Sequence, residues 1–185
     1  MLWIQGIIRD DQKDRILMLF DPTIDPDGLG VRWQTLRSLT SLQGGGMTGQ
    51  GLYRGAQTQA GATPAQHTDF IFSSIGEELG LLGCLFVLVL LTAIVIRCIV
   101  VGVKSANYMN RLICIGIAGM LVFQIMVNVG MCLGVFPVIG LTLPFISYGG
   151  SSIVTMFAAM GIVSGIRMRP APDSTARYIR PVYTL

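Results

Sequence analysis

The sequence predicts an all-α polytopic membrane protein, a partial helical bundle in which three transmembrane helices follow a long extracytoplasmic loop. Three observations predict it. Gly80 to Val103, Leu112 to Gly134 and Phe145 to Ile166 are apolar runs, each long enough for the about 20 helical residues that a hydrocarbon core demands. Nine of the ten acidic residues lie before Gly80, whereas the charges after it are seven Lys or Arg and Asp173 alone. Finally, 52% hydrophobic and 12% charged residues over 185 positions exclude an ordinary water-soluble domain, in which about 25% of residues are charged.

Charge sets the orientation. Lys and Arg next to span ends are retained in the cytoplasm, which puts the Lys104 to Arg111 connection and the tail with Arg167, Arg169, Arg177 and Arg180 inside. The segment from Arg9 to Leu79, with six bases against nine acids, is then outside, and three crossings lead from it to an inside tail. The chain divides into 1–8, the end of a preceding transmembrane helix; 9–79, an extracytoplasmic loop with short helices; 80–166, the three-helix transmembrane region; and 167–185, a basic cytoplasmic tail. The tail reads as a topology determinant beside anionic head groups and not as a nucleic-acid site. Cys84, Cys98, Cys114 and Cys132 all fall inside apolar runs without CxxC spacing, so they read as small core residues, with neither a disulfide framework nor a metal site. Met1 to Ile8 lacks the basic leader of a secretory signal peptide and resembles the last turns of a helix that begins elsewhere.

Taken in order, the loop opens with charged Arg9 to Arg15 and apolar Ile16 to Phe20, then breaks at Asp21-Pro22 and Asp25-Pro26-Asp27-Gly28. From Val31 to Leu42, Leu36, Leu39 and Leu42 recur at helical spacing while Arg32 and Arg37 face elsewhere, predicting an amphipathic helix at the membrane interface. Gly44-Gly45-Gly46, Gly49 and Gly51 lack the Gly-Lys-Ser/Thr ending of a phosphate-binding loop and read as a mobile stretch. After Pro64 a helical pattern runs from His67 through Phe70 and Ile71 into the first span. Arg97 is close enough to the cytoplasmic end of that span to snorkel. Gln124 and Asn128, at i and i+4, project from one face of the second span towards a neighbouring helix. The stretch from Phe136-Pro137 to Leu143-Pro144 is too short to cross and predicts a buried or re-entrant loop on the outer side.

Candidate chemistry gathers where the outer loop meets the membrane, at Asp69, Glu77 and Glu78, with His67 two residues from Asp69. A helix beginning near Thr68 places Asp69, Ser73 and Glu77 on one face. Two readings stand side by side. A carboxylate partly desolvated at the boundary is a good general base; the same Asp69 is also well placed to cap the helix that enters the membrane.

The run Pro64-Ala65-Gln66-His67-Thr68-Asp69-Phe70-Ile71-Phe72, followed by Glu77-Glu78-Leu79-Gly80, resembles the PExHTDFIF…EELG signature of the RodA/FtsW (SEDS) family of bacterial cell shape, division and sporulation. A second block, Asn128-Val129-Gly130-Met131, Phe136-Pro137, Gly140 and Leu143-Pro144-Phe145-Ile146-Ser147-Tyr148-Gly149-Gly150-Ser151-Ser152, is similar to that family's NxGM…PxxGxxLPFxSYGGSS. Arg15-Ile16, Asp21-Pro22 and Asp25 to Gly30 resemble the stretch that precedes both. The resemblance implies a peptidoglycan glycosyltransferase that polymerises lipid II at the outer surface of the bacterial cytoplasmic membrane, with a class B penicillin-binding protein as partner. It implies that Asp69 is the catalytic base removing a proton from the acceptor sugar hydroxyl. Arg54, Arg37 and Arg32 are the outside candidates for the leaving diphosphate, a charge that Arg, Lys or a divalent cation can stabilise. His67, Glu77 and Glu78 complete the expected substrate-binding set, while Asn128, Pro144, Ser147, Tyr148, Gly149 and Gly150 are expected to be structural.

The chain departs from the family pattern in places. Gln50 stands where many members have Lys, and Ala65 where many have Glu. Family members resemble a bundle of about ten helices, of which this chain covers the final three and the preceding loop, so the expectation is a fragment, a truncated product or half of a split protein, inactive alone. Two other functions compete: a non-enzymatic membrane scaffold for a transpeptidase, and a lipid II flippase, for which Gln124 and Asn128 would line the path.

Overall fold

The computed structural model describes residues 32–60 and 67–168. The expectations for 1–31, for Pro64 to Gln66 and for the basic tail beyond Met168 lie outside the described residues. Five helices follow in order among these residues: α1 Trp33–Gly45, α2 Ala56–Gln59, α3 Ile71–Lys104, α4 Tyr108–Cys132 and α5 Gly150–Met168. Among the described residues all regular structure is helical. α3, α4 and α5 are each long and apolar enough to cross a membrane, as the three apolar runs require. α3 packs mainly on α4, and α5 lies against both less extensively.

The composition of α3 changes at Gly80. There α3 is broken: Gly80 has φ 69° and ψ −167° inside an otherwise continuous helix. A break in a helix strands carbonyls before it and N–H groups after it. The glycine-rich loop after α1 takes up both sets. Gln50 N and Gly51 N donate to the carbonyls of Glu77 and Glu78 at 2.9 and 3.0 Å, while Leu81 N and Leu82 N donate to those of Gly46 and Met47 at 3.0 and 3.3 Å. The predicted mobile stretch is therefore a splice held in the helix break. Its glycines serve close approach: a Cβ at Gly49 would run into the Glu78 carbonyl, and one at Gly80 into Gly49 and Met47. Gly80→Ala combines a backbone region essentially reserved for glycine, costing about 1–3 kcal/mol, with that collision. It is expected to lower the thermal unfolding midpoint in detergent, and an unchanged midpoint would show that the splice tolerates a side chain.

α1 meets the rest of the protein through small residues. Its buried residues are Ser38, Ser41 and Gly45, a stripe of small side chains, while Leu36 is 38% exposed. The reason is proximity. Ser38 Oγ donates to the Cys132 carbonyl at 2.9 Å, and a Cβ at Gly45 would strike the Gly76 backbone. A leucine face cannot come that near, so α1 turns its small residues to α3 and α4, and of the three leucines Leu42 packs against a buried core.

Two apolar clusters join the long helices. One holds Val95, Cys98, Val101, Cys114, Ala118, Leu121, Met156 and Val163. The other, at the opposite end, brings Phe70, Phe72, Cys84, Leu91 and Cys132 together with Val138 and Leu143 of the connection between α4 and α5. That connection is partly buried, as its apolar composition predicts. All four cysteines are buried free thiols. α5 starts at Gly150 and not at Phe145, because Phe145 has φ 65° and Leu143 to Ser147 close their own turn, with Ser147 N donating to the Leu143 carbonyl at 3.1 Å. Thr142 and Ser152 hydroxyls, 2.9 Å apart, tie that turn to the first turn of α5.

Candidate functional site

Three consecutive carbonyls, those of His67, Thr68 and Asp69, are each held by a different residue far along the chain. Tyr148 N donates to His67 O at 2.8 Å, Ser147 Oγ to Thr68 O at 2.5 Å, and Asn128 Nδ2 to Asp69 O at 2.9 Å. The donors are themselves fixed. Asn128 Nδ2 also donates to Leu141 O at 2.6 Å, and Ser147 Oγ accepts from Leu143 N at 2.7 Å. Cys132 Sγ lies 3.9 Å from the same Asp69 carbonyl. Asn128, Ser147 and Pro144 are almost fully buried, so these bonds form in a dry environment where leaving one unmade is expensive.

The clamp grips backbone and leaves side chains outside it. His67 is exposed and Asp69 half-buried. The residue capping α3 is Phe70, with no side-chain cap bond, so the Asp69 carboxylate is not spent as the cap that the sequence allowed. Gly140 borders it, since a Cβ there would stand 3.4 Å from Asp69 Oδ2. Asp69, Ser73 and Glu77 do not share an open face: Ser73 is buried and donates to Phe70 O at 2.7 Å.

Glu77 takes a structural position. It is fully buried, and its carboxylate accepts from Gln57 N at 2.7 Å, Thr58 N at 3.0 Å and Thr58 Oγ1 at 2.7 Å. It thereby caps α2 from another helix. Gln50 completes the cap by accepting from Ala56 N at 3.0 Å while its amide nitrogen donates to Gly44 O at 3.2 Å. Arg37 stacks over Trp33, 5.5 Å from the ring centroid, and donates to Gln57 Oε1 at 3.0 Å. Of the expected substrate-binding residues, Glu77 and Arg37 thus converge on α2, Glu78 is half-buried beside the splice, and Arg54 and His67 are exposed. Gln57 and Thr58 escaped sequence reading, and Gln50 stood out only as a departure from the family's Lys, because contacts of irregular loops leave no periodic signal. Tyr148 is exposed, and a Cβ at Gly150 would meet open space, whereas one at Gly149 would make ordinary contacts. Among the described residues no three His, Cys, Asp or Glu side chains gather as metal ligands.

Glu77→Ala should orphan three donors at about 1–3 kcal/mol each. Faster amide hydrogen exchange at Gln57 and Thr58 is the expected result; unchanged exchange would mean that α2 is held by something else.

The clamp joins the two signature blocks in space, and the family comparison agrees with it: a family model for cell cycle proteins, FtsW/RodA/SpoVE, matches residues 1–171. This chain belongs to the FtsW/RodA/SpoVE family. Among its relatives, the peptidoglycan glycosyltransferase MrdB of Escherichia coli K12 is 37% identical over 166 residues, covering 90% of this chain and 44% of MrdB. The probable peptidoglycan glycosyltransferase FtsW of Bacillus subtilis 168 is 39% identical over 162 residues, covering 88% of this chain and 40% of that protein. In structure, the chain is similar to one from a peptidoglycan synthase complex in which polymerization and crosslinking are coordinated, with TM-score 0.67 and 33% identity over 90% of this chain and 43% of that one. It is also similar to an aspartate-to-alanine mutant of the Thermus thermophilus rod shape determining protein RodA, with TM-score 0.54 and 32% identity over 86% of this chain and 51% of that one. The FtsW/RodA/SpoVE chain described here spans less than half the length of the curated relatives it matches. Its helical membrane architecture is that of the family.

Proposed function

We propose that this chain carries the catalytic aspartate of a peptidoglycan glycosyltransferase that polymerises lipid II, and that Asp69 is its general base. The observation that carries the reading is the backbone clamp: it fixes Asp69 at the end of a membrane-spanning helix while leaving the carboxylate uncommitted. Asp69 takes the proton from the acceptor sugar hydroxyl, the hydroxyl oxygen forms a bond to the donor's anomeric carbon, and the bond from that carbon to the lipid diphosphate breaks. A positioned base of this kind contributes about 10²–10⁴-fold. The departing diphosphate keeps the bonding pair, and exposed Arg54 is the candidate loop cation to meet it, since Arg37 already donates to Gln57.

The charge pattern supports a bacterial cytoplasmic membrane location with the loop containing 32–79 outside and the end of α5 inside, where Arg167 follows the apolar run. A class B penicillin-binding protein is the proposed partner, in keeping with the coordination of polymerization and crosslinking described for the similar complex. The test is Asp69→Asn in a full-length context with lipid II as substrate. Retained glycan synthesis would remove Asp69 from the reaction. If that variant also supports cell shape normally while bulky substitutions at Gly149 or Gly150 do not, the scaffold role replaces the enzymatic one.

A further inference from the structure

The turn of the splice loop displays an apolar surface that the catalytic reading does not use. Met47 is 64% exposed, Leu52 58% and Tyr53 77%, with exposed Arg54 following. Tyr53 is held at φ 59° in a turn closed by Arg54 N donating to Gly51 O at 3.0 Å. A bulky residue in the left-handed region is an outlier that persists only when something compensates for it.

The splice fixes where this turn sits relative to the bilayer. Leu82 N is bonded to Met47 O, and Gly51 N to Glu78 O. Met47 is therefore level with Leu82, in the first turn of the apolar span, where Leu82 itself is 58% exposed. The 52–54 turn follows Gly51, which is bonded to Glu78 on the loop side of the Gly80 break. From Met47 to Arg54 the chemistry follows the gradient of a membrane surface: a thioether at the hydrocarbon edge, then a leucine and a tyrosine ring, then a guanidinium at phosphate height.

We infer that the Met47 to Arg54 turn is an interfacial membrane anchor that rests in the outer leaflet, with lipid as its occupant. The splice and the Glu77 cap then transmit that anchorage, holding α1 and α2 down on the bilayer surface.

Site-directed spin labelling tests it in the full-length protein, reconstituted in nanodiscs of phosphatidylethanolamine and phosphatidylglycerol. Labels are placed through Met47→Cys, Tyr53→Cys and, as a deep reference, Leu85→Cys; the protein without added cysteines reports any labelling of its buried thiols. Oxygen accessibility relative to a water-soluble nickel chelate is expected to fall in the order Leu85, Met47, Tyr53, with Tyr53 still severalfold above a free aqueous label. A ratio at Met47 and Tyr53 equal to the aqueous label overturns the inference. So does shielding from both reagents, or protection gained only when a transpeptidase partner is added, either of which would make this turn a protein contact.

Discussion

Asp69→Asn is expected to slow glycan polymerisation by about 10²–10⁴-fold, the range that a positioned general base supplies, with no loss of folding stability. The substitution is nearly isosteric. The interactions that locate this residue are made through its backbone carbonyl, to Asn128 and Cys132, and survive any change of side chain. Asparagine keeps the shape and loses the ability to take a proton at neutral pH. Asp69→Glu keeps the acid but displaces it by a methylene; a partial rate is expected there, because misplacement by about 1 Å is costly to a reaction that depends on orientation. Polymerisation of purified lipid II by the full-length variants, beside their unfolding midpoints, separates the cases. Loss of rate with an equal loss of stability would mean that the residue is structural.

Asn128→Asp should be the most damaging change in the clamp. Asn128 Nδ2 gives its two protons to the carbonyls of Asp69 and Leu141, at a site with no solvent exposure. Aspartate has the same shape and presents an oxygen to both carbonyls. Two buried acceptors lose their donor, at about 1–3 kcal/mol each, and face a repelling group besides. The expected result is a lower unfolding midpoint together with loss of activity, since the His67 to Asp69 turn is released. Asn128→Ala removes the donors without the repulsion and should fall between this variant and the native protein. A midpoint for Asn128→Asp equal to the native one would show that the turn is held by Ser147 and Tyr148 without help.

Much of this could be read from residues in order, and the failures share one cause. Spans announce themselves through composition, so α3 and α4 lie close to where the apolar runs put them, and the change of composition at Gly80 coincides with the break in α3. Asp69 stood out as a carboxylate at the membrane boundary. Which face of α1 meets α3 and α4 was not legible, because that contact demanded the small side chains of Ser38, Ser41 and Gly45, which carry no hydropathy signal. The glycine loop was misjudged because glycine permits both mobility and close approach, and only the partner at Gly80 distinguishes them. Glu77 looked like chemistry and proved to be a cap for a four-residue helix 20 positions earlier in the chain.

The sequence by itself determined that the chain is a membrane protein of three apolar helices behind a polar loop, because solvation of each residue is a local property that adds up along a run. Tertiary structure alone decided what each polar group does, since a hydrogen bond depends on the partner brought to it across 79 residues, as between Ser147 and Thr68. It is that pairing which separates Asp69, with its carboxylate free, from Glu77, with its carboxylate consumed.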